Sequence, residues 1–348
     1  MEGYNKKVIM SYWTICRMKT TKKIYVKVSI IFLLGGILLF SSCEKEENQK
    51  IEANRKTLFM YLPWSSNLTN YFYNNISDLE KCITKIGLNN EKVIVFISTG
   101  STEAMMFEIV SSHGRCKREI LKKYKSPPFT TIDGITAILN DVKAFAPASV
   151  YTMIIGCHGM GWLPVYEMKV RSAPHMKMHW EYQGVPLTRY FGGLTAEYQT
   201  DIKSLASGIA NAGMKMEYIL FDDCYMSSIE VAYELKDVTK YLIGSTSEMM
   251  AYGMPYAAIG EYLLGNPDYQ SGCEEFYNFY STYEIMPCGT LAVTDCSELE
   301  NMAAIIKSIN SKYSFDKSLR GTIQRLDGYT PVIFYDFADY ITSLCNDP

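Results

Sequence analysis

The sequence predicts an α/β protein in which a mostly parallel central sheet is covered by helices on both sides. Two observations carry that reading. Several short runs are apolar on both faces and rich in β-branched residues, the pattern of strands buried inside a parallel sheet. Between them lie longer segments whose apolar residues recur at helical spacing.

Residues 57–62 form a short β-rich run. Residues 68–86 have helical periodicity and follow Ser65, Ser66 and Asn67, residue types suited to capping a helix start. Residues 92–98 (KVIVFIS) read as a buried strand. Residues 131–145 form a second helix, and 150–156 (VYTMIIG) a second buried strand. The stretch 164–200 fits neither pattern. It is rich in Pro, Gly, Tyr and basic residues, and irregular insertions of that length are usually functional or mobile. Residues 201–212 read as a helix, 217–221 as a strand, 227–235 as a helix and 240–244 as a strand. Beyond Gly265 the pattern blurs into helices, with a strand near 290–294. Residues 334–345 resemble a helix stopped early, so the natural end of the chain is expected further on.

The first residues read differently. Arg17, Lys19, Lys22, Lys23 and Lys27 precede an uncharged, mostly apolar run at 28–40. That run has the length of a signal-peptide core and is short for a membrane span. It ends in Phe40-Ser41-Ser42-Cys43, which resembles a bacterial lipobox, although Phe40 stands where Leu is usual. Met18 would begin a tidier leader than Met1. The expectation is a leader at 1–43, lipid on Cys43, a polar tether at 44–56 and a domain at 57–348. The protein would then be an exported lipoprotein anchored to a membrane, periplasmic or on the cell surface.

The formal net charge of −3 and the lack of a basic patch argue against a nucleic-acid partner. Of ten cysteines, Cys16 and Cys43 belong to the leader. The other eight form no Cys-x-x-Cys metal pair, and no metal site is expected. The four histidines are His113, His158, His175 and His179, so few positions can serve as a base near neutral pH.

In a parallel sheet, active sites gather at the C-terminal ends of strands. Two strand ends run straight into reactive side chains: Gly156-Cys157-His158-Gly159 and Phe221-Asp222-Asp223-Cys224. If those strands are neighbours, His158 and Cys224 face one another. The N–H groups of Gly159 and Cys224 could then stabilise an oxyanion, and the helix at 227–235 would favour a thiolate through its dipole. Local readings compete. Asp222 and Asp223 suit helix N-caps, and Cys157 is a rival thiol. Cys157 ranks lower because neighbouring side chains on a strand point to opposite faces.

Together the segments resemble the clostripain-like cysteine peptidases, relatives of caspases, legumains and gingipains. His158-Gly159-Met160-Gly161-Trp162 is similar to that family's His-Gly-x-Gly-Trp. Phe221-Asp222-Asp223-Cys224-Tyr225-Met226-Ser227 is similar to its Phe-Asp-Ala-Cys-Leu-Met-Gly, and Val231-Ala232-Tyr233-Glu234-Leu235 continues the likeness. Tyr61 with Asn67-Leu68 resembles its first strand and turn. The resemblance implies a caspase-like α/β/α sandwich acting on peptide bonds as a monomer. His158 would be the base and Cys224 the nucleophile, and Asp222 would line an S1 pocket for Arg or Lys. It also implies self-cleavage in the insertion, where Lys169, Arg171, Lys177 and Arg189 offer basic sites.

The chain departs from the family pattern at three places. Asp223 replaces Ala, Cys157 precedes the His, and Ala251-Tyr252-Gly253-Met254-Pro255-Tyr256 stands where relatives read Gly-x-Gly-Trp-Pro-Tyr, often with an acidic x. A second pocket acid is therefore expected to be missing, and Tyr252 is a candidate to stack on an Arg guanidinium. No cofactor is required for the chemistry. Some relatives use calcium, but Asp133 and Asp141 form no EF-hand loop. Two other functions fit the same residues: a catalytically silent peptide-binding lipoprotein and a peptide ligase.

Overall fold

The computed structural model describes residues 54–163, 165, 193, 196–329 and 332–345. Among them, one sheet contains β1 (Asn54–Leu62), β2 (Glu91–Gly100), β3 (Glu103–Ser112), β4 (Arg115–Lys125), β5 (Ala148–Ile155), β6 (Met216–Phe221), β7 (Thr239–Gly244) and β8 (Ala292–Asp295). The spatial order is β4-β3-β2-β1-β5-β6-β7-β8. The five strands from β2 to β7 in that order are parallel. Both edges are antiparallel, through β3 and β4 on one side and β8 on the other.

The main helices are α1 (Thr69–Ile86), α2 (Ile132–Phe145), α3 (Ile202–Asn211), α4 (Ile229–Leu235), α5 (Tyr256–Leu263), α6 (Tyr269–Ser281), α7 (Leu299–Lys312) and α8 (Phe337–Leu344). From β1 the chain crosses through α1 to β2. From β5 it crosses through α3 to β6, the opposite direction along the sheet. Parallel crossovers are right-handed, so α1 covers one face, while α2, α3 and α4 cover the other. The helix α5 packs with α1, and α6 packs with α5. The strand order reverses between β1 and β5, and ligands in such sheets bind at that switch point. The core confirms the expected two-sided burial. Val93, Ile94, Val95, Phe96 and Ile97 in β2 are fully buried, as are Tyr218, Ile219, Leu220 and Phe221 in β6.

The hairpin of β3 and β4 is an element that the sequence reading did not assign. Its turn is His113-Gly114, both with positive φ, which matches the two-residue turn that suits the twist of paired strands. In β4 most residues are charged and exposed. A lysine-rich edge strand of this kind resists pairing with another chain.

Candidate active site

The register of the parallel strands carries directly into the loops beyond them. In β5 and β6, Ile155 pairs with Phe221. One step further, the Asp222 N–H donates to Ile155 O at 2.8 Å, and the Gly156 N–H donates to Tyr61 O at 3.0 Å. The loops after β1, β5 and β6 therefore leave the sheet side by side.

His158 is 1% exposed, and its Nε2 lies 2.8 Å from Asn67 Oδ1. A carbonyl oxygen accepts, so Nε2 carries the hydrogen and Nδ1 is the basic nitrogen of a neutral ring. Asn67 was expected among the helix caps. In the structure the N-cap of α1 is Leu68, which makes no side-chain cap bond. The Asn67 side chain orients the histidine instead. Only the Tyr61 and Asn67-Leu68 likeness hinted at this loop.

Gly159 lies hard against the backbone of Cys224. A Cβ on Gly159 would stand 2.1 Å from Cys224 O and 2.8 Å from Cys224 N. No side chain fits there, so only glycine allows the two loops to approach so closely. Cys224 is fully buried. Its Sγ accepts the Met249 N–H at 3.1 Å and lies 3.6 Å from Met249 O. The expected help from the helix dipole is corrected here. The helix α4 starts at Ile229 behind an N-cap at Ser228, whose Oγ accepts the Val231 N–H at 3.3 Å. It is a short helix whose first residue lies five positions after Cys224, and a dipole acts mainly within the terminal turn. The amide of Met249, in the loop after β7, is the donor that reaches the sulfur.

The same cap excludes Asp222 and Asp223 from a capping role. Asp222 is 1% exposed; its Oδ1 accepts the Met254 N–H at 2.8 Å and its Oδ2 accepts the Tyr256 hydroxyl at 3.0 Å. It thus ties the end of β6 to the segment leading into α5. Asp223 turns the other way. Its Oδ1 accepts the Cys157 N–H at 2.5 Å, and its Oδ2 accepts the Cys157 thiol at 3.4 Å. A thiol held on a carboxylate is a poor nucleophile, because the thiolate would face a like charge. Cys157 ranks lower on side-chain direction; the bond to Asp223 is a separate reason.

Tyr252 is not open on both ring faces. It stacks on Phe279 at 5.1 Å and 21°, with Tyr283 at 5.9 Å. Its hydroxyl donates to Asp78 Oδ2 at 2.6 Å. Burial, together with Asp78 and then Asp222, pushes the Tyr252 phenol well above its usual pKa. The Asp78 carboxylate of α1 thus lies against Tyr252 of the segment at 251–256. Asp78 also pairs with Lys81 at 2.8 Å.

Tyr225, directly after Cys224, has a φ of 60°. Its N–H donates to Ser247 O at 2.9 Å and its hydroxyl to Glu248 Oε1 at 2.9 Å. Lys169, Arg171, Lys177 and Arg189 lie outside the described residues, as do Cys43, His175 and His179. Among the described residues, no helix is long and apolar enough to cross a membrane.

The sequence pattern of the clostripain family matches residues 60–345. Among solved structures, a secreted cysteine protease from Bacteroides thetaiotaomicron, iotapain, is 60% identical, with a TM-score of 0.78 over 85% of this chain and 81% of that one. An inactive zymogen protease from Parabacteroides distasonis is 24% identical, with a TM-score of 0.69 over 84% of this chain and 78% of that one. A secreted cysteine protease from B. thetaiotaomicron in complex with an irreversible peptide inhibitor is 20% identical, with a TM-score of 0.66 over 83% and 78%. These last two share the fold. No curated protein matches the chain. The family match over most of the chain, the high identity to iotapain and the mostly parallel sheet with flanking helices lead to one assignment: this chain belongs to the clostripain family and is a cysteine-type endopeptidase acting on peptide or protein substrates.

Proposed function

We propose that the protein cleaves peptide bonds after Arg or Lys with Cys224 as nucleophile and His158 as base. The observation that carries this is the contact of Gly159 with the Cys224 backbone at neighbouring strand ends, beside a histidine oriented by Asn67. His158 Nδ1 takes the thiol proton as Sγ adds to the scissile carbonyl carbon. The oxyanion of the tetrahedral intermediate accepts the N–H groups of Gly159 and Cys224. Collapse breaks the C–N bond, and the imidazolium gives its proton to the leaving amine. Water, deprotonated by His158, then hydrolyses the thioester, which returns the thiol and releases the acid. The thiol and the imidazole supply both nucleophile and proton carrier, so no cofactor is needed for these steps.

Asp222 supplies the pocket charge in this account. The carboxylate is held in place by the Met254 N–H and the Tyr256 hydroxyl, and in this reading a substrate cation would meet it there. Arg would bind bidentately and Lys as a point charge. We also infer that the chain is exported and acts as a monomer tethered through lipid on Cys43. The basic and apolar leader supports export, and iotapain is a secreted protein. The test of the activity is a peptide-library digest read by mass spectrometry with wild type and Cys224→Ala. Cuts after Arg and Lys that vanish in the variant support the proposal. Cuts that persist in Cys224→Ala refute the choice of nucleophile.

A further inference from the structure

The residue after Cys224 is held in a conformation its side chain disfavours. Tyr225 has a φ of 60°, and non-glycine residues keep such angles only where the surroundings impose them. Its N–H and hydroxyl are bonded to Ser247 and Glu248, and its ring is packed by residues from much later in the chain. The Tyr225 ring stacks on Phe334 at 4.4 Å and 6°, and Tyr329 lies against it at 5.8 Å. The same two rings reach the loop that carries His158. The Tyr329 hydroxyl donates to Met160 Sδ at 3.3 Å, and a Cβ on Gly161 would stand 2.7 Å from the Phe334 ring.

The segment that brings these rings is itself fixed. The Asp327 carboxylate accepts the backbone N–H groups of Tyr329, Ile333 and Phe334. The Leu326 N–H donates to Phe334 O at 3.0 Å, and Arg325 forms a bridge with Tyr335. Two aromatic rings, those of Tyr329 and Phe334, thus touch both loops of the site.

We propose that Phe334, assisted by Tyr329, is a positioning residue for proteolysis: it clamps Tyr225 in the left-handed conformation and so holds the Cys224 backbone in register with Gly159. The φ of Tyr225 sets the angle of the Cys224–Tyr225 peptide plane, which carries the Cys224 carbonyl packed on Gly159. Relaxing Tyr225 to negative φ turns that plane, and because the Cys224 carbonyl packs on Gly159 the turn would push the two loops apart, and with them the two N–H groups assigned to the oxyanion. The penalty falls on the chemical step, because the oxyanion exists only there. This inference rests on Cys224 being the nucleophile.

The test is a double-mutant cycle on the full chain, with kcat and KM measured on a fluorogenic Arg or Lys peptide and rates normalised to folded protein. Phe334→Leu keeps apolar bulk but removes the ring, and Phe334→Tyr restores it. Phe334→Leu should lower kcat by about tenfold with KM within about twofold, and Phe334→Tyr should recover most of the rate. Glycine adopts positive φ freely. In a Tyr225→Gly background, the same Phe334→Leu change should therefore cost less than about twofold in kcat. An unchanged kcat in Phe334→Leu, a loss that falls on KM, or an equal loss in both backgrounds would overturn the proposal. Cys224→Ala separates the two readings. If it retains turnover, the choice of nucleophile fails. If it is inactive while Phe334→Leu is fully active, only the clamp fails.

Discussion

The Asp223 carboxylate accepts both the backbone N–H and the thiol of Cys157, at 2.5 and 3.4 Å. Each residue is a departure from the family pattern, Asp for Ala before Cys224 and Cys before His158. The two departures meet, and together they form one lock between the loops after β5 and β6. The acid beside Cys224 is directed at the other thiol.

Breaking that lock should cost stability. Asp223→Ala leaves a buried N–H at Cys157 without this acceptor, a loss of about 1–3 kcal/mol. Cys157→Ala keeps the N–H bond and should cost less. Urea unfolding of the two variants checks the order. Equal stability of Asp223→Ala and wild type would show that the bond contributes nothing.

Asp222 should govern specificity. Losing one member of a desolvated ion pair costs roughly 2–5 kcal/mol. Asp222→Asn should therefore lower kcat/KM for Arg and Lys substrates by at least about tenfold while sparing neutral ones. The carboxylate also holds Met254 and Tyr256, so a uniform loss over all substrates would assign Asp222 to loop support alone.

A pH effect follows from Lys56, which is 3% exposed and donates to Leu263 O at 2.6 Å. Burial lowers its pKa from 10.5 to about 8, against the opposing pull of Glu91. Between those values the folded chain binds fewer protons than the unfolded chain, so the contribution of Lys56 to stability improves as pH rises from about 8 towards 10.5. The full change is on the order of 3 kcal/mol, at about 1.4 per tenfold step in proton affinity. Cys82, Cys273 and Cys296, each pushed up to about 11 by burial, act in the opposite sense. The stability difference between wild type and Lys56→Met isolates the lysine. It should shift towards wild type between pH 7 and pH 10.5, and a constant difference would contradict the assignment.

Strand ends and helix periodicity were readable because burial on both faces leaves a strong sequence mark. The β3–β4 hairpin was not, because β4 lies at an edge and carries charge where a central strand carries Val or Ile. His158, Gly159 and Cys224 stood out as reactive or small residues at the ends of apolar runs. Asn67 did not, since its sequence neighbours suggest a cap while its partner lies 91 residues away. The Met249 amide on the Cys224 sulfur and the Asp78 bond to Tyr252 were hidden for the same reason. Contacts between distant loops leave no local periodicity.

The most direct test of the central claim is alkylation by iodoacetamide, followed by peptide mapping of each described cysteine over time. The account predicts that Cys224 reacts far faster than Cys157 and the other thiols, and that its rate falls in His158→Ala. Preferential labelling of Cys157, or a Cys224 rate unaffected by His158→Ala, would contradict it.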